Sequence, residues 1–222
     1  MNWFLFYYSL FMIYSFLGWV SETIFVSIDK KKFANRGFLI GPYCPIYGLS
    51  AIFIILLASE YKEDFFLLFI IIMLIAAIVE YFTSYIMEKA FRARWWDYSN
   101  LKFNLNGRIC LQNLIFFGLL GSFMIYILNP PLNNFINNLN VNTLTILTII
   151  IGIIFIVDII ISFKVIRKIR TTAEVLKKDY TEEITEKVKE ILLSKSLLTK
   201  RLIKAFPNIK SINVRIGNKH RK

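Results

Sequence analysis

The chain predicts an all-α fold, a polytopic membrane helix bundle of about five transmembrane helices with a cytoplasmic amphipathic helical tail. Three observations predict it. Hydrophobic residues make up 56% of the 222 and charged residues only 19%, where an ordinary soluble domain has about half and about a quarter. The apolar excess is gathered into runs, such as Leu67–Val79 and Thr143–Val157, that hold almost nothing that seeks water. Runs of this kind, extended to about 20 residues, cross a bilayer as helices, because a helix satisfies its own backbone in hydrocarbon. Finally, the basic residues fall in alternate connections between the runs.

The spans are expected at about Trp3–Ile28, Tyr43–Ser59, Phe65–Glu88, Ile109–Leu128 and Thr143–Phe163. The first lacks a basic n-region, and no small-residue cleavage site follows it, so it is expected to be retained. The first connection holds Lys30, Lys31, Lys32 and Arg36, and the third holds Lys89, Arg92, Arg94, Lys102 and Arg108. The stretch after Ile166 carries 16 lysines and arginines against 6 acids. By contrast, Glu60–Asp64 has three acids and one lysine, and Asn129–Asn142 has no charge. Five spans put every basic segment on one side. The positive-inside rule then sets the N-terminus outside and the C-terminus cytoplasmic, in a bacterial plasma membrane. The Asn-rich fourth connection, with Pro130-Pro131, reads as a solvated loop.

The second span is the weak one. Its uninterrupted apolar run, Leu49–Ala58, is too short to cross, and Gly37, Gly41, Pro42, Pro45 and Gly48 break the approach to it. Two readings stay open: a helix start with proline in its first turn, or irregular backbone at membrane depth of the sort that borders transporter sites.

Four acids fall inside the spans: Glu22, Glu80, Glu88 and Asp158. A charge at the bilayer centre costs about 3 kcal/mol on insertion scales, so such residues need partners, water or a use. Glu80, Ser84 and Glu88 stack on one helix face at i, i+4, i+8. Arg36, Arg92, Arg94 and Arg108 are the nearest cations by depth, all on the basic side, the last three within "RARWWDYSNLKFNLNGRIC" (Arg92–Cys110). The expected picture is a polar pocket on the cytoplasmic side. Its candidate substrate- or lipid-binding residues are Glu22, Arg36, Glu80, Glu88, Arg94, Trp95, Trp96, Asp97, Tyr98, Asn104, Arg108 and Asp158. Arg92–Cys110 would fold back under it as a lid, with Asn104, Asn106 and Gly107 making tight turns. The alternative is purely structural: acids paired with arginines to dock the loops, and tryptophans forming an interfacial belt.

No phosphate-binding loop, zinc spacing, HExxH or GxSxG is present, so no catalytic residue, metal or cofactor is expected. Cys44 and Cys110 are expected to pack rather than pair. Residues 1–165 are read as the bundle and 166–222 as a basic tail. In the tail, Thr171-Thr172-Ala173-Glu174 reads as a capping box opening a helix, and apolar positions from Ile184 to Leu202 recur opposite lysines. Such a helix suits an anionic membrane surface or a partner helix, and nucleic acid need not be invoked.

Four ordered blocks carry a family resemblance: "FLGWVSE" (Phe16–Glu22), "NRGFLIGPYCPIYG" (Asn35–Gly48), "EYFTSYIMEKAFRARWWDYS" (Glu80–Ser99) and "FNLNGRICL" (Phe103–Leu111). They resemble the signature blocks of the bacterial ABC-transporter type IV, or CmpB-like, membrane proteins over roughly Trp3–Phe163. The resemblance implies a permease-like, transport-related component whose partners include membrane lipids and an ATPase subunit or another membrane protein. A non-transporting membrane protein that binds a lipid or partner stays open beside it. Five helices are few for a transport path, so a dimer or larger complex is expected.

Overall fold

The computed structural model describes residues 2–31, 37–91, 93–177 and 210–211. Helices α1 (Trp3–Lys30), α2 (Pro45–Ala58), α3 (Phe65–Phe91), α4 (Leu111–Phe123), α5 (Asn129–Asn138) and α6 (Val141–Lys177) make up nearly all of it. Four two-residue strands complete the described part: β1 (Ala93–Arg94), β2 (Asn104–Leu105), β3 (Ile109–Cys110) and β4 (Lys210–Ser211). Among the described residues, four helices are long and apolar enough to cross a membrane: Trp3–Ile28, Phe65–Phe91, Leu111–Asn138 and Val141–Ile166. The fifth apolar helix, Pro45–Tyr61, is shorter.

Caps set the helix starts. The Asn2 side chain accepts from Phe4 N, Asp64 from Leu67 N, and Asn140 from Asn142 N, each satisfying a donor that the first turn leaves unpaired. Close approaches then pair the helices. A Cβ on Gly48 of α2 would collide with Ser15 Oγ and the Phe11 carbonyl of α1, and one on Gly18 would strike the Tyr47 ring. Small residues at such crossings let membrane helices pack backbone to backbone. The core runs between α1, α2 and α3, with Leu10, Tyr14, Ile54, Leu68, Ile72 and Met124 at its centre. Tyr8 meets Gly152 and Phe11 meets Phe155, so α1 and α6 run parallel. The outward faces carry exposed Ile, Leu and Phe, including Ile149, Ile153, Ile156 and Ile160 of α6.

α2 is about 21 Å long at 1.5 Å per residue, short of the roughly 30 Å hydrocarbon layer. Residues 37–44 lead into it without regular structure, and Pro45 occupies its first turn. This irregular backbone is buried in protein: Leu39 is 2% exposed, and Tyr43 and Cys44 are also buried. Asp158 takes the Ile40 and Gly41 N–H groups and the Tyr43 hydroxyl, and the Ser15 carbonyl accepts from Cys44 N at 2.8 Å.

Two sequence expectations are corrected. Asn129–Asn142 is not a solvated loop: α5 occupies Asn129–Asn138, and only Leu139–Asn140 connects it to α6. Pro130 and Pro131 stand in the first turn of α5. A π-helical turn, Met124–Leu128, precedes them, widening the helix just where two residues lack an N–H. Ile136 anchors the helix at 1% exposure, and buried Asn129 accepts from Tyr14 Oη at 3.3 Å. Likewise, Thr171–Glu174 opens no helix. α6 runs unbroken from Val141 to Lys177, past the 165/166 boundary, with Ile166 packed on Phe91 and Trp95. Beyond it, Lys210–Ser211 pairs antiparallel with Ala93–Arg94. The amphipathic stretch from Ile184 to Leu202 lies outside the described residues.

Candidate functional site

The polar residues of α3 meet the 93–110 segment at the end of the bundle where α3 stops and α4 begins. Glu88 is the centre of this contact. Its Oε2 takes Arg94 Nε at 3.1 Å and Arg108 Nη1 at 2.8 Å. Arg108 Nη1 also donates to Ser84 Oγ at 3.2 Å, one turn earlier on the same helix face. Arg94 Nη1 reaches Asp97 Oδ1 at 3.5 Å, and that oxygen also accepts from Ser99 N and Ser99 Oγ. Trp96 Nε1 donates to the Arg108 carbonyl at 3.1 Å. Two guanidiniums on one carboxylate oxygen tie both ends of the segment to α3.

Between those ends the chain turns on Asn106-Gly107. Both have positive φ, 54° and 66°, and Arg108 N donates to the Leu105 carbonyl at 3.0 Å. That is the type I′ turn that Asn-Gly favours in a tight hairpin, here joining β2 and β3. A Cβ on Gly107 would collide with Ser99 Oγ and Asp97 Oδ1. Asn104 closes the loop from inside by donating to the Leu101 carbonyl and accepting from Gly107 N.

Behind this clamp lies a second polar group. Tyr98 Oη donates to Glu80 Oε1 at 3.1 Å, and Tyr47 Oη donates to Glu22 Oε1 at 3.1 Å. Glu80 is buried, and its Oε2 has no hydrogen-bond partner among the described residues. Burial, and then the neighbouring Glu80 charge, push the Tyr98 hydroxyl well above its ordinary value, so at neutral pH it stays a donor. Trp95, expected to line the polar pocket or to join an interfacial belt, is instead buried at 8% exposure among Phe38, Phe91 and Ile166. That seating closes the lid from its other edge.

Asp158 stands apart. Its carboxylate accepts from Ile40 N (2.9 Å), Gly41 N (2.6 Å), Tyr43 Oη (2.6 Å) and Ser162 Oγ (2.8 Å). It therefore serves as the anchor of the irregular 37–44 segment. Arg36 lies outside the described residues.

The structure thus brings Glu80, Glu88, Arg94, Trp96, Asp97, Tyr98, Asn104 and Arg108 together, sets Glu22 beside Glu80, and separates Asp158. Sequence reasoning missed Tyr81, Tyr85 and Ser99. With Arg94, Asn104, Asn106, Gly107 and Arg108 they line an open pocket of about 430 Å3 on the outer side of the lid. Arg108 lies over the Tyr81 and Tyr85 rings, 5.6 and 5.4 Å from their centroids. The signal was available: Tyr81 and Tyr85 each follow a member of the Glu80–Ser84–Glu88 row and share its i, i+4 spacing. Among the described residues no cluster of three or more His, Cys, Asp or Glu could hold a metal ion.

Long apolar helices around an internal polar cluster define a membrane protein of the helical-bundle class. The chain belongs to the family described as "Putative ABC-transporter type IV", whose model matches residues 9–163. That span contains most of α1, all of α2 to α5, the whole lid and Asp158. No curated protein and no solved structure matches the chain.

Proposed function

We propose that the protein is a permease-like component of a transport system in a bacterial plasma membrane. In this reading the basic end faces the cytoplasm, the N-terminus lies outside, and the polar cluster under the lid handles the transported species. Glu80 carries the proposal. Glu88, Arg94 and Arg108 tie both ends of the lid, yet a second acid sits deeper in the span, with Tyr98 on one oxygen, Glu22 nearby and the other oxygen without a hydrogen-bond partner among the described residues. A buried acid in a span is costly to keep, and the family's name supports a transport use. Residues 1–165 would form the membrane bundle and 166–222 a basic tail toward anionic lipids. The sequence has no phosphate-binding loop, so ATP hydrolysis would come from a separate subunit.

The test is purification in mild detergent from wild type and Glu80→Gln, with mass spectrometry of all retained protein and lipid. An ATPase subunit or another membrane protein retained by wild type is the expected result. A wild type that retains no protein partner overturns the reading. It then leaves a non-transporting, lipid-binding membrane protein, which the arginine-lined pocket favours.

A further inference from the structure

We infer that the pocket outside the lid binds a phosphate group, carried either by a lipid headgroup or by a soluble phosphate ester. The inference names a ligand class for the polar end that the transport reading invokes, and it rests on that reading only for its biological use. Two guanidiniums line the pocket and no carboxylate does. Glu88 and Asp97 contact the same arginines without being among the residues that line the pocket.

The donor count points the same way. A guanidinium has five N–H donors. Arg108 commits Nη1 to Glu88 and Ser84, and Arg94 commits Nε and Nη1 to Glu88 and Asp97. Among the described residues neither Nη2 has a hydrogen-bond partner. Both forks are also held in place: Glu88 fixes the two together, and the Tyr81 and Tyr85 rings back Arg108. Little ordering is left for a ligand to impose, and planar forks of this type match phosphate oxygens. Ser99 and Asn106 add neutral polar groups at the rim. A tetrahedral anion has acceptors enough for both forks and for the second N–H of Asn106 Nδ2, whose first goes to Tyr81 Oη at 3.0 Å. A volume of about 430 Å3 leaves room for the group that carries it.

The experiment uses the full chain in two kinds of nanodisc. In neutral phosphatidylcholine discs, inorganic phosphate is titrated against chloride at matched ionic strength, and tryptophan emission and the unfolding midpoint are read. In discs containing phosphatidic acid, native mass spectrometry reads the retained lipid. Saturable phosphate binding in the first identifies a soluble ester as the source. Retention of phosphatidic acid without phosphate saturation identifies a headgroup. Binding in either is expected to weaken about tenfold or more in Arg94→Gln and Arg108→Lys, the scale of one lost bidentate contact. Should those variants unfold, Asn106→Asp places a carboxylate at the rim without touching Glu88, and the same weakening is expected. No saturable binding in either disc, or wild-type affinity in every folded variant, overturns the inference. Phosphate binding by a protein that retains no transport partner leaves the pocket standing and removes the permease reading. A retained partner without phosphate binding does the reverse.

Discussion

At the scale of single residues, Asp158 and Gly107 show how much one group can organise. Asp158 accepts two backbone N–H groups and two hydroxyls, so one carboxylate holds the 40–43 turn against α6. An asparagine there would keep one acceptor but point an NH2 at donors, stranding at least one of them. Asp158→Asn is therefore expected to cost about 3 kcal/mol, whereas Ser162→Ala, which removes one of four donors, should cost about 1 kcal/mol. Denaturant unfolding in mixed micelles measures both, and equal costs would show that the anchor lies elsewhere. Gly107 has a different constraint. Its φ of 66° is in the left-handed region, where a side chain costs about 1–2 kcal/mol, and its Cβ would also press on Ser99 and Asp97. Gly107→Ala should loosen the lid enough to shift Trp96 emission to the red. An unchanged spectrum would mean that the hairpin moves as a unit without disturbing the Trp96–Arg108 contact.

At the scale of elements, what was legible depended on whether the signal was local. α1 and α3 could be read because their apolar length lies within their own residues. α5 could not, because Pro130-Pro131 and a run of asparagines spell a turn by local chemistry. The deciding facts are tertiary: a π-turn ahead of the prolines, Tyr14 on Asn129, and Ile136 buried in the core. The length of α6 was hidden similarly. Charges after Ile166 look like a new segment, but Ile166 still packs on Phe91 and Trp95, so the helix has a reason to continue. The weak second span was readable as broken, though not what held it; only geometry pairs residue 158 with residues 40–43. Its packing yields a prediction for the α1–α2 pair. Leucine at Gly48 would drive into Ser15 and the Phe11 carbonyl, and backbone cannot yield as a side-chain tip can. Gly48→Leu should destabilise the bundle by about 3 kcal/mol, the upper range for overpacking, read by the same micelle unfolding. A near-neutral result would mean that α1 and α2 stand further apart than described.

For the whole molecule, the candidate site was largely legible because one helix supplies Glu80, Ser84 and Glu88 and one connection supplies their partners. The pocket outside the lid was not, since it needs the hairpin to fold back over Tyr81 and Tyr85. The fold also sets alternation. α1, α3 and α6 all run toward the end that holds the polar cluster, so α2 must return the chain to the far end for the basic segments to gather on one side. The sidedness follows from the positive-inside rule and is open to direct measurement. Cys44 and Cys110 are buried at 7% and 1% exposure and should resist a membrane-impermeant maleimide in the folded protein, which leaves the background low. Against it, Asn137→Cys, at the exposed Asn-rich end, should label on intact cells. Leu105→Cys, at the 54% exposed hairpin, should label only after permeabilisation. The opposite pattern would put the polar cluster outside. Labelling of both from one side would mean that Leu111–Asn138, the span that separates the two positions, fails to cross, whereas a failure of α2, about 21 Å long, would exchange the two sides and give the opposite pattern.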